Sequence, residues 1–181
     1  MFDRLLALFL IIVFSPVFCV VSFLIFLFDG LPVFFVQKRI GLNNKVFKLH
    51  KFRSMKNNTP NVATNLLLNP NQYTTIIGKF IRILNIDELP NLINILKGDL
   101  VFVGPRPALY NQYDLIKLRL ELGISSIKPG LTGWAQINGR DEISIQQKVD
   151  LDNIYLKRKS LIFDLYIIFK TILYLLSIKN K

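Results

Sequence analysis

Three hydrophobic patterns follow one another along the chain. The first is unbroken: LLALFLIIVFSPVFCVVSFLIFLF, residues 5–28, carries no charge in 24 positions. A helix needs roughly 20 apolar residues to cross a hydrocarbon core. Ser15-Pro16 lies near the middle, and a proline there removes a backbone donor and disfavours helical geometry just before it. The pattern therefore predicts a helix, a kink and a second helix. Two arrangements fit. A kinked helix can span a bilayer, or the segment can enter, bend at Ser15-Pro16 and leave by the same face, with the Ser15 hydroxyl satisfying the freed carbonyl. A single arginine ahead of the run and the lack of a small-x-small site argue against a cleaved signal peptide. Cys19, inside the run, is expected to be a small buried hydrophobe.

The second pattern alternates. After DGLP (29–32), VFFVQKRI (33–40) and KVFKLHKFRSM (45–55) flank GLNN (41–44), which predicts a β-hairpin. Period two puts Phe47, Leu49, Lys51 and Arg53 on one face, and Lys48 with His50 on the other. A lone strand histidine reads as structural or exposed. Residues 56–74, rich in Asn, Thr and Pro, read as a long loop.

The third pattern is helical. TIIGKFIRIL (75–84) is a short helix with Lys79 and Arg82 on neighbouring surface positions. NIDELPNLINILKGD (85–99) predicts a helix with the buried stripe Ile86, Leu89, Ile93 and Leu96, ended by Gly98. Its start is either Asn85, with Glu88 completing a capping box, or Asp87, with Pro90 in the first turn. NQYDLIKLRLELG (111–123) is a helix stopped by glycine, and KPGLTGWAQINGRDE (128–142) a shaped loop. Two helices close the chain, SIQQKVDLDNIYLKRK (144–159) and LIFDLYIIFKTILYLL (161–176). The last is apolar nearly all round, is short for a span and follows KRK, which suggests a helix lying at a membrane interface. The fold class expected is α+β, mainly α, with one small hairpin.

Composition narrows the class. Lys and Arg number 23 against 12 Asp and Glu, a net charge of +11, yet 51% of residues are apolar. Nucleic-acid binders are basic but seldom this rich in Phe, Leu and Ile, so no nucleic-acid partner is expected. Basic and apolar together point to anionic lipid headgroups.

The candidate chemistry centres on Asp87-Glu88. Adjacent acids can be a helix cap, a metal site or a catalytic pair. At a helix N-terminus the partial positive charge favours their ionised form. Lys51, Arg53, Lys79, Arg82, Arg106 in GPRP and Arg140 in NGRD add cations, and prolines on both sides hold Arg106. Arginine forks suit bidentate phosphate contacts. Cations around an acid pair suggest a phosphate-bearing substrate and an attacking carboxylate, with Mg²⁺ able to neutralise more charge. A glycosidase pair is disfavoured, because adjacent helical residues point about 100° apart. A membrane-anchored adaptor would explain the charge but not the Gly- and Pro-framed arginines.

KFRSM (51–55), IDELPNLINILKGDLVFVGPRP (86–107) and KPGLTGWAQINGRDE (128–142) occur in the order seen in bacterial sugar transferases. These are small monotopic phosphoglycosyl transferases, and the chain resembles them over nearly its whole length. The resemblance implies a re-entrant membrane helix over 1–30, hinged at Ser15-Pro16. It further implies a cytosol-facing catalytic domain over 31–181 that lies on the bacterial inner (cytoplasmic) membrane. It implies Asp87 as the nucleophile on the β-phosphate of a UDP-sugar, releasing UMP and leaving an acyl phosphate. Undecaprenyl phosphate would then take the sugar phosphate. Glu88 corresponds to the assisting acid, and Asp87 with Glu88 to the Mg²⁺ ligands. Lys51, Arg53, Arg82, Arg106, Arg140 and Gln136 correspond to substrate or phosphate contacts. RPALYNQYDLIKLR (106–119) is closer to members using N-acetylated amino sugars, and such an interfacial enzyme could form a homodimer. The chain departs from the family at NQYTT (71–75), at Ile83 and at Asp141.

Overall fold

A computed structural model describes residues 2–60, 69–139 and 143–178. It is a mainly helical α+β fold with two two-stranded sheets. The chain forms two compact units, Met1–Gln37 with Lys48–Lys97, and Lys38–Phe47 with Gly98–Lys181. The apolar N-terminal run thus shares a unit with the acidic pair.

In that first unit α1 (Phe2–Val13) and α2 (Ser15–Asp29) meet at an angle of 61°. Pro16 cannot donate to the carbonyl four residues back, that of Ile12. The Ser15 hydroxyl donates to Ile12 O instead, at 2.8 Å. Kink and substitute bond are both as the sequence predicts. Among the described residues no single helix is long and apolar enough to cross a membrane, whereas the bent pair together is. Many of its large side chains face outward, among them Phe2, Phe9, Ile12, Phe23 and Phe28. Cys19 is also exposed rather than buried, because the core-facing stripe of α2 runs through Val21 and Ile25.

The hairpin forms as expected, from β1 (Phe34–Ile40) and β2 (Val46–Phe52). Its turn holds Asn43 and Asn44 at φ of 51° and 58°, a left-handed conformation that asparagine tolerates better than most residues. Strict alternation breaks at the end of β2. Phe52 and Arg53 are consecutive and both buried, at 1% and 4% exposure. Phe52 enters the core of Val21, Ile25 and Ile81, its ring centroid 5.4 Å from that of Phe18 and 5.3 Å from that of Phe34. Among the described residues of the loop that follows is a short helix, α3 (Pro70–Tyr73). Thr75 then caps α4 (Ile76–Ile83), accepting from Gly78 N at 3.0 Å.

α5 covers Asn91–Lys97. Its buried residues are Asn91, Leu92, Asn94 and Ile95, not the stripe predicted through Ile93 and Leu96. The prediction carried one helical period from Ile86 onward, but Pro90 interrupts it and α5 starts afresh at Asn91. α1 packs along α5, and Arg4 Nη2 donates to Lys97 O at 3.2 Å at its C-terminal end.

In the second unit β3 (Val101–Val103) pairs in parallel with β4 (Gly130–Thr132), with Val101 opposite Gly130 and Val103 opposite Thr132. α6 (Tyr113–Glu121) lies in the crossover. Residues 128–142, read from sequence as a loop, contain β4 and a short helix, α7 (Trp134–Ile137). Glycine makes this possible. A Cβ on Gly130 would stand 2.1 Å from Gly104 N, and one on Gly133 2.1 Å from Gly104 O. Any side chain at either position would push GPRP away from β4.

α8 (Ile145–Arg158) starts in a complete capping box made by Ser144 and Gln147. α9 (Leu161–Ile178) buries Ile167 against Val103 and Tyr155. Its outer face leaves Ile162 82% exposed and Leu165 and Phe169 more than half exposed. Asp164, one of two charges inside this apolar helix, accepts from the Tyr155 hydroxyl at 2.8 Å.

Candidate active site

The acidic pair is not a helix cap. Asn85 sits in the left-handed region at φ 52° and makes no side-chain cap. Ile86–Glu88 forms one 3-10 turn, closed by Glu88 N to Asn85 O at 3.2 Å and Leu89 N to Ile86 O at 3.0 Å. α5 begins three residues after Glu88. Both predicted start sites, Asn85 and Asp87, are therefore displaced. The left-handed Asn85 ends the run from α4, and Pro90 lacks the N–H that a continuous helix would use. A single 3-10 turn sums few peptide dipoles, so charge compensation must come from side chains.

Lys51 supplies it. Its Nζ lies 2.6 Å from Glu88 Oε1, and both side chains are largely shielded, at 16% and 21% exposure. The strand lysine picked out by period two thus meets the second acid of the pair, 37 residues away in sequence.

What brings β2 to this turn is a residue without any mark in the sequence pattern beyond its polarity. Asn94, fully buried on α5, uses its amide as a strand would use its backbone. Its Oδ1 accepts from His50 N at 3.0 Å, and its Nδ2 donates to Lys48 O at 2.7 Å. His50 Nδ1 lies 3.2 Å from the same Oδ1, so the histidine is structural rather than exposed. The only sequence signal was an asparagine among the apolar positions of α5. Replacing Asn94 with Ala leaves a strand N–H and a strand C=O unsatisfied. We expect a loss of about 2 kcal/mol, read by chemical denaturation, with faster hydrogen exchange at the His50 amide. Unchanged exchange there would show that the clasp is not formed.

The other expected phosphate contacts are distributed over both units. Arg53 is buried, and its Nη2 donates to Asp29 O and Gly30 O at 2.5 and 2.6 Å. It closes the C-terminal end of α2 rather than standing on the face with Lys51, because β2 ends at Phe52. Arg82 occupies the last turn of α4, five residues before Asp87. In the second unit Arg106 lies between buried Pro105 and Pro107, and its carbonyl accepts from Arg119 Nη1 at 2.8 Å. Gln136, on α7, donates to Leu131 O at 3.0 Å, while its buried Oε1 has no hydrogen-bond partner among the described residues. Arg140 and Asp141 lie outside the described residues.

Arg119 and Asp152 form a buried ion pair that no sequence motif singled out. Arg119 Nε and Nη2 both donate to Asp152 Oδ2, at 3.0 and 2.6 Å. Burial pushes the Asp152 carboxyl above its ordinary range, with Arg119 and then Lys148 pulling it back. The signal available was slight, one arginine and one aspartate inside amphipathic helices, a spacing that exposed residues share.

The donor set bears on a metal. Among the described residues no cluster of three or more His, Cys, Asp or Glu could hold one. Two adjacent carboxylates are too few for a zinc or calcium cage. They fit Mg²⁺, which keeps several waters and completes its shell with substrate phosphates.

Known proteins resemble the chain over most of its length. A family model described as bacterial sugar transferase matches residues 1–177. The chain is 42% identical to the uncharacterized sugar transferase EpsL of Bacillus subtilis, covering 95% of this chain and 84% of that protein. It is 37% identical to the UDP-N-acetylgalactosamine-undecaprenyl-phosphate N-acetylgalactosaminephosphotransferase of Aeromonas hydrophila, covering 94% of this chain and 41% of that protein. It is 36% identical to the UDP-glucose:undecaprenyl-phosphate glucose-1-phosphate transferase of Escherichia coli, covering 94% of this chain and 38% of that protein.

Proposed function

The chain belongs to the bacterial sugar transferase family and is a transferase, and from that premise we propose that it moves a sugar phosphate from a UDP-sugar to undecaprenyl phosphate through a covalent intermediate on Asp87. The Asp87 carboxylate attacks the β-phosphorus, and the bond to the α-phosphate oxygen breaks, so UMP leaves with the electron pair. An oxygen of undecaprenyl phosphate then attacks the aspartyl phosphate. The carboxylate is released and a polyprenyl diphosphate sugar forms, the first step of cell-surface glycan synthesis. One site so serves a soluble and a lipid substrate in turn, the setting for ping-pong kinetics.

The observation that supports this reading is the Lys51–Glu88 ion pair, 2.6 Å long, at the 3-10 turn that carries Asp87. The division of roles, Asp87 attacking and Glu88 assisting, follows the family resemblance. Asp87 and Glu88 would hold Mg²⁺, which would offset the repulsion between carboxylate and phosphate. Lys51, Arg82, Arg106 and Arg140 would hold phosphates, and Gln136 would contact the substrate. Arg53 is assigned to holding the end of α2. For the donor we favour an N-acetylated amino sugar, on the stretch 106–119. Overall identity does not choose, since relatives at 37% and 36% are named for different sugars. The test is mass spectrometry of the lipid product across a panel of UDP-sugars, with UMP release followed in parallel. We expect both signals, strongest with UDP-N-acetylated hexosamines. Release of UDP, or of free sugar, would rule the reaction out.

We place the protein at the cytoplasmic face of the bacterial inner membrane, with the bent pair α1–α2 re-entrant and the outer face of α9 at headgroup depth. Exposed apolar side chains on both support this. A cysteine introduced after Asp29 should be labelled by an impermeant reagent from the same side as one near residue 2. Labelling from opposite sides would mean a span.

A further inference from the structure

In the second unit, four consecutive carbonyls around Arg106 are each held by a different donor. Pro105 O accepts from Gly130 N at 2.9 Å and Ala108 O from Ile40 N at 2.9 Å. Pro107 O accepts from Arg39 Nη1 at 2.9 Å, and Arg106 O from Arg119 Nη1 at 2.8 Å. Prolines at 105 and 107 fix φ on both sides. A cavity of about 30 Å³ lies beneath the segment, lined by Pro105, Ala108, Ile116, Arg119 and Ile124 among others. Hydrogen bonds from four separate donors thus hold this backbone in place.

The donor to Arg106 O is costly to place there. Arg119 is 9% exposed and Asp152 1%. A buried ion pair adds little stability over apolar residues of the same size, so stability alone does not account for it. Guanidinium geometry does. Nε and Nη2 turn toward Asp152 while Nη1 points to the carbonyl, three N–H groups of one rigid fork serving two acceptors. A lysine has no such fixed fork.

We infer that Arg119 and Asp152 are positioning residues. Asp152 orients the Arg119 fork, and Arg119 fixes the Arg106 backbone, and with it the direction from which the Arg106 side chain departs toward a phosphate. Neither touches substrate. The inference rests on the reading of Arg106 as a phosphate contact.

The test uses UDP, which carries both phosphates of any UDP-sugar donor, titrated by calorimetry into the full-length protein in lipid nanodiscs. Arg119→Lys keeps the charge and loses the fork. The double variant Arg119→Met/Asp152→Leu removes the pair together and keeps the volume apolar, so it should fold. Both should weaken UDP binding roughly tenfold, the loss of about one hydrogen bond's worth of positioning, although their Tm values should differ. In an Arg106→Gln background Arg119→Lys should add little, because the two act as a unit. The inference is overturned if Arg106→Gln weakens UDP while both Arg119 variants bind it normally. It is also overturned if UDP affinity falls only in whichever variant has the lower Tm. If Arg106→Gln itself leaves UDP affinity unchanged, the phosphate-contact reading fails first and this inference falls with it.

Discussion

Asp87→Asn is expected to reduce transfer by about 10⁴-fold or more, the scale on which removing a covalent nucleophile acts. The substitution keeps shape and removes the attacking oxygen charge. Asp87 lies in a turn whose closing bonds are backbone-to-backbone, Glu88 N to Asn85 O and Leu89 N to Ile86 O. Those backbone bonds do not depend on the side chain that changes, so the fold should hold. Membrane association should be unchanged, because the exposed apolar faces of α1, α2 and α9 are untouched. Labelled donor gives a second readout. Wild type should retain radioactivity from a β-³²P UDP-sugar on the protein when undecaprenyl phosphate is withheld, and Asp87→Asn should retain none. Turnover in the Asn variant, or equal labelling of both, would exclude Asp87 as the nucleophile.

Asp152→Ala is expected to destabilise the fold by about 3–5 kcal/mol, the usual cost of orphaning a buried charge. It leaves the Arg119 guanidinium enclosed, with the Arg106 carbonyl still an acceptor but no counter-charge. For a chain of this length that corresponds to a fall in Tm of roughly 10 °C, measured by thermal denaturation at fixed lipid composition. Arg119→Met/Asp152→Leu should lose much less, since neither charge is then stranded. The direction of the Asp152 carboxyl agrees. Burial raises it above its ordinary range, so the folded state gains a proton before the unfolded chain does as pH falls. The stability from this group is full below the ordinary carboxylate range and declines as pH rises through the folded value. The pair is therefore kept for what Arg119 holds, while the cost of breaking it stays high. A Tm change of only a degree or two in Asp152→Ala would show that Arg119 reaches water.

Local pattern was sufficient for much of this protein. The uninterrupted run with Ser15-Pro16 required a broken helix, and the Ser15 bond to Ile12 O follows from the proline four residues ahead. Alternation around GLNN required the hairpin, and the 3.6 period placed α4, α6, α8 and α9 nearly to the residue. Such features depend on neighbours within a few positions, which is the range over which propensity and capping act. The period-two reading failed where a distant element intervened. Phe52 and Arg53 are both buried because α2 covers one and ends against the other. On α5, Pro90 restarts the helical period at Asn91, and the face so buried carries Asn94 to β2.

The candidate site divides along the same line. The blocks holding Asp87-Glu88, Lys51, Arg106 and Gln136 mark the family, and no tertiary information is needed to find them. The pairing of Lys51 with Glu88, the Asn94 clasp on the strand and the Arg119–Asp152 support of Arg106 link residues 37, 44 and 33 positions apart. No local period encodes a partner at such distances, so these contacts arise from packing. Residue types and spacing named the two acids as a unit. The folded chain brought a lysine from a distant strand to Glu88.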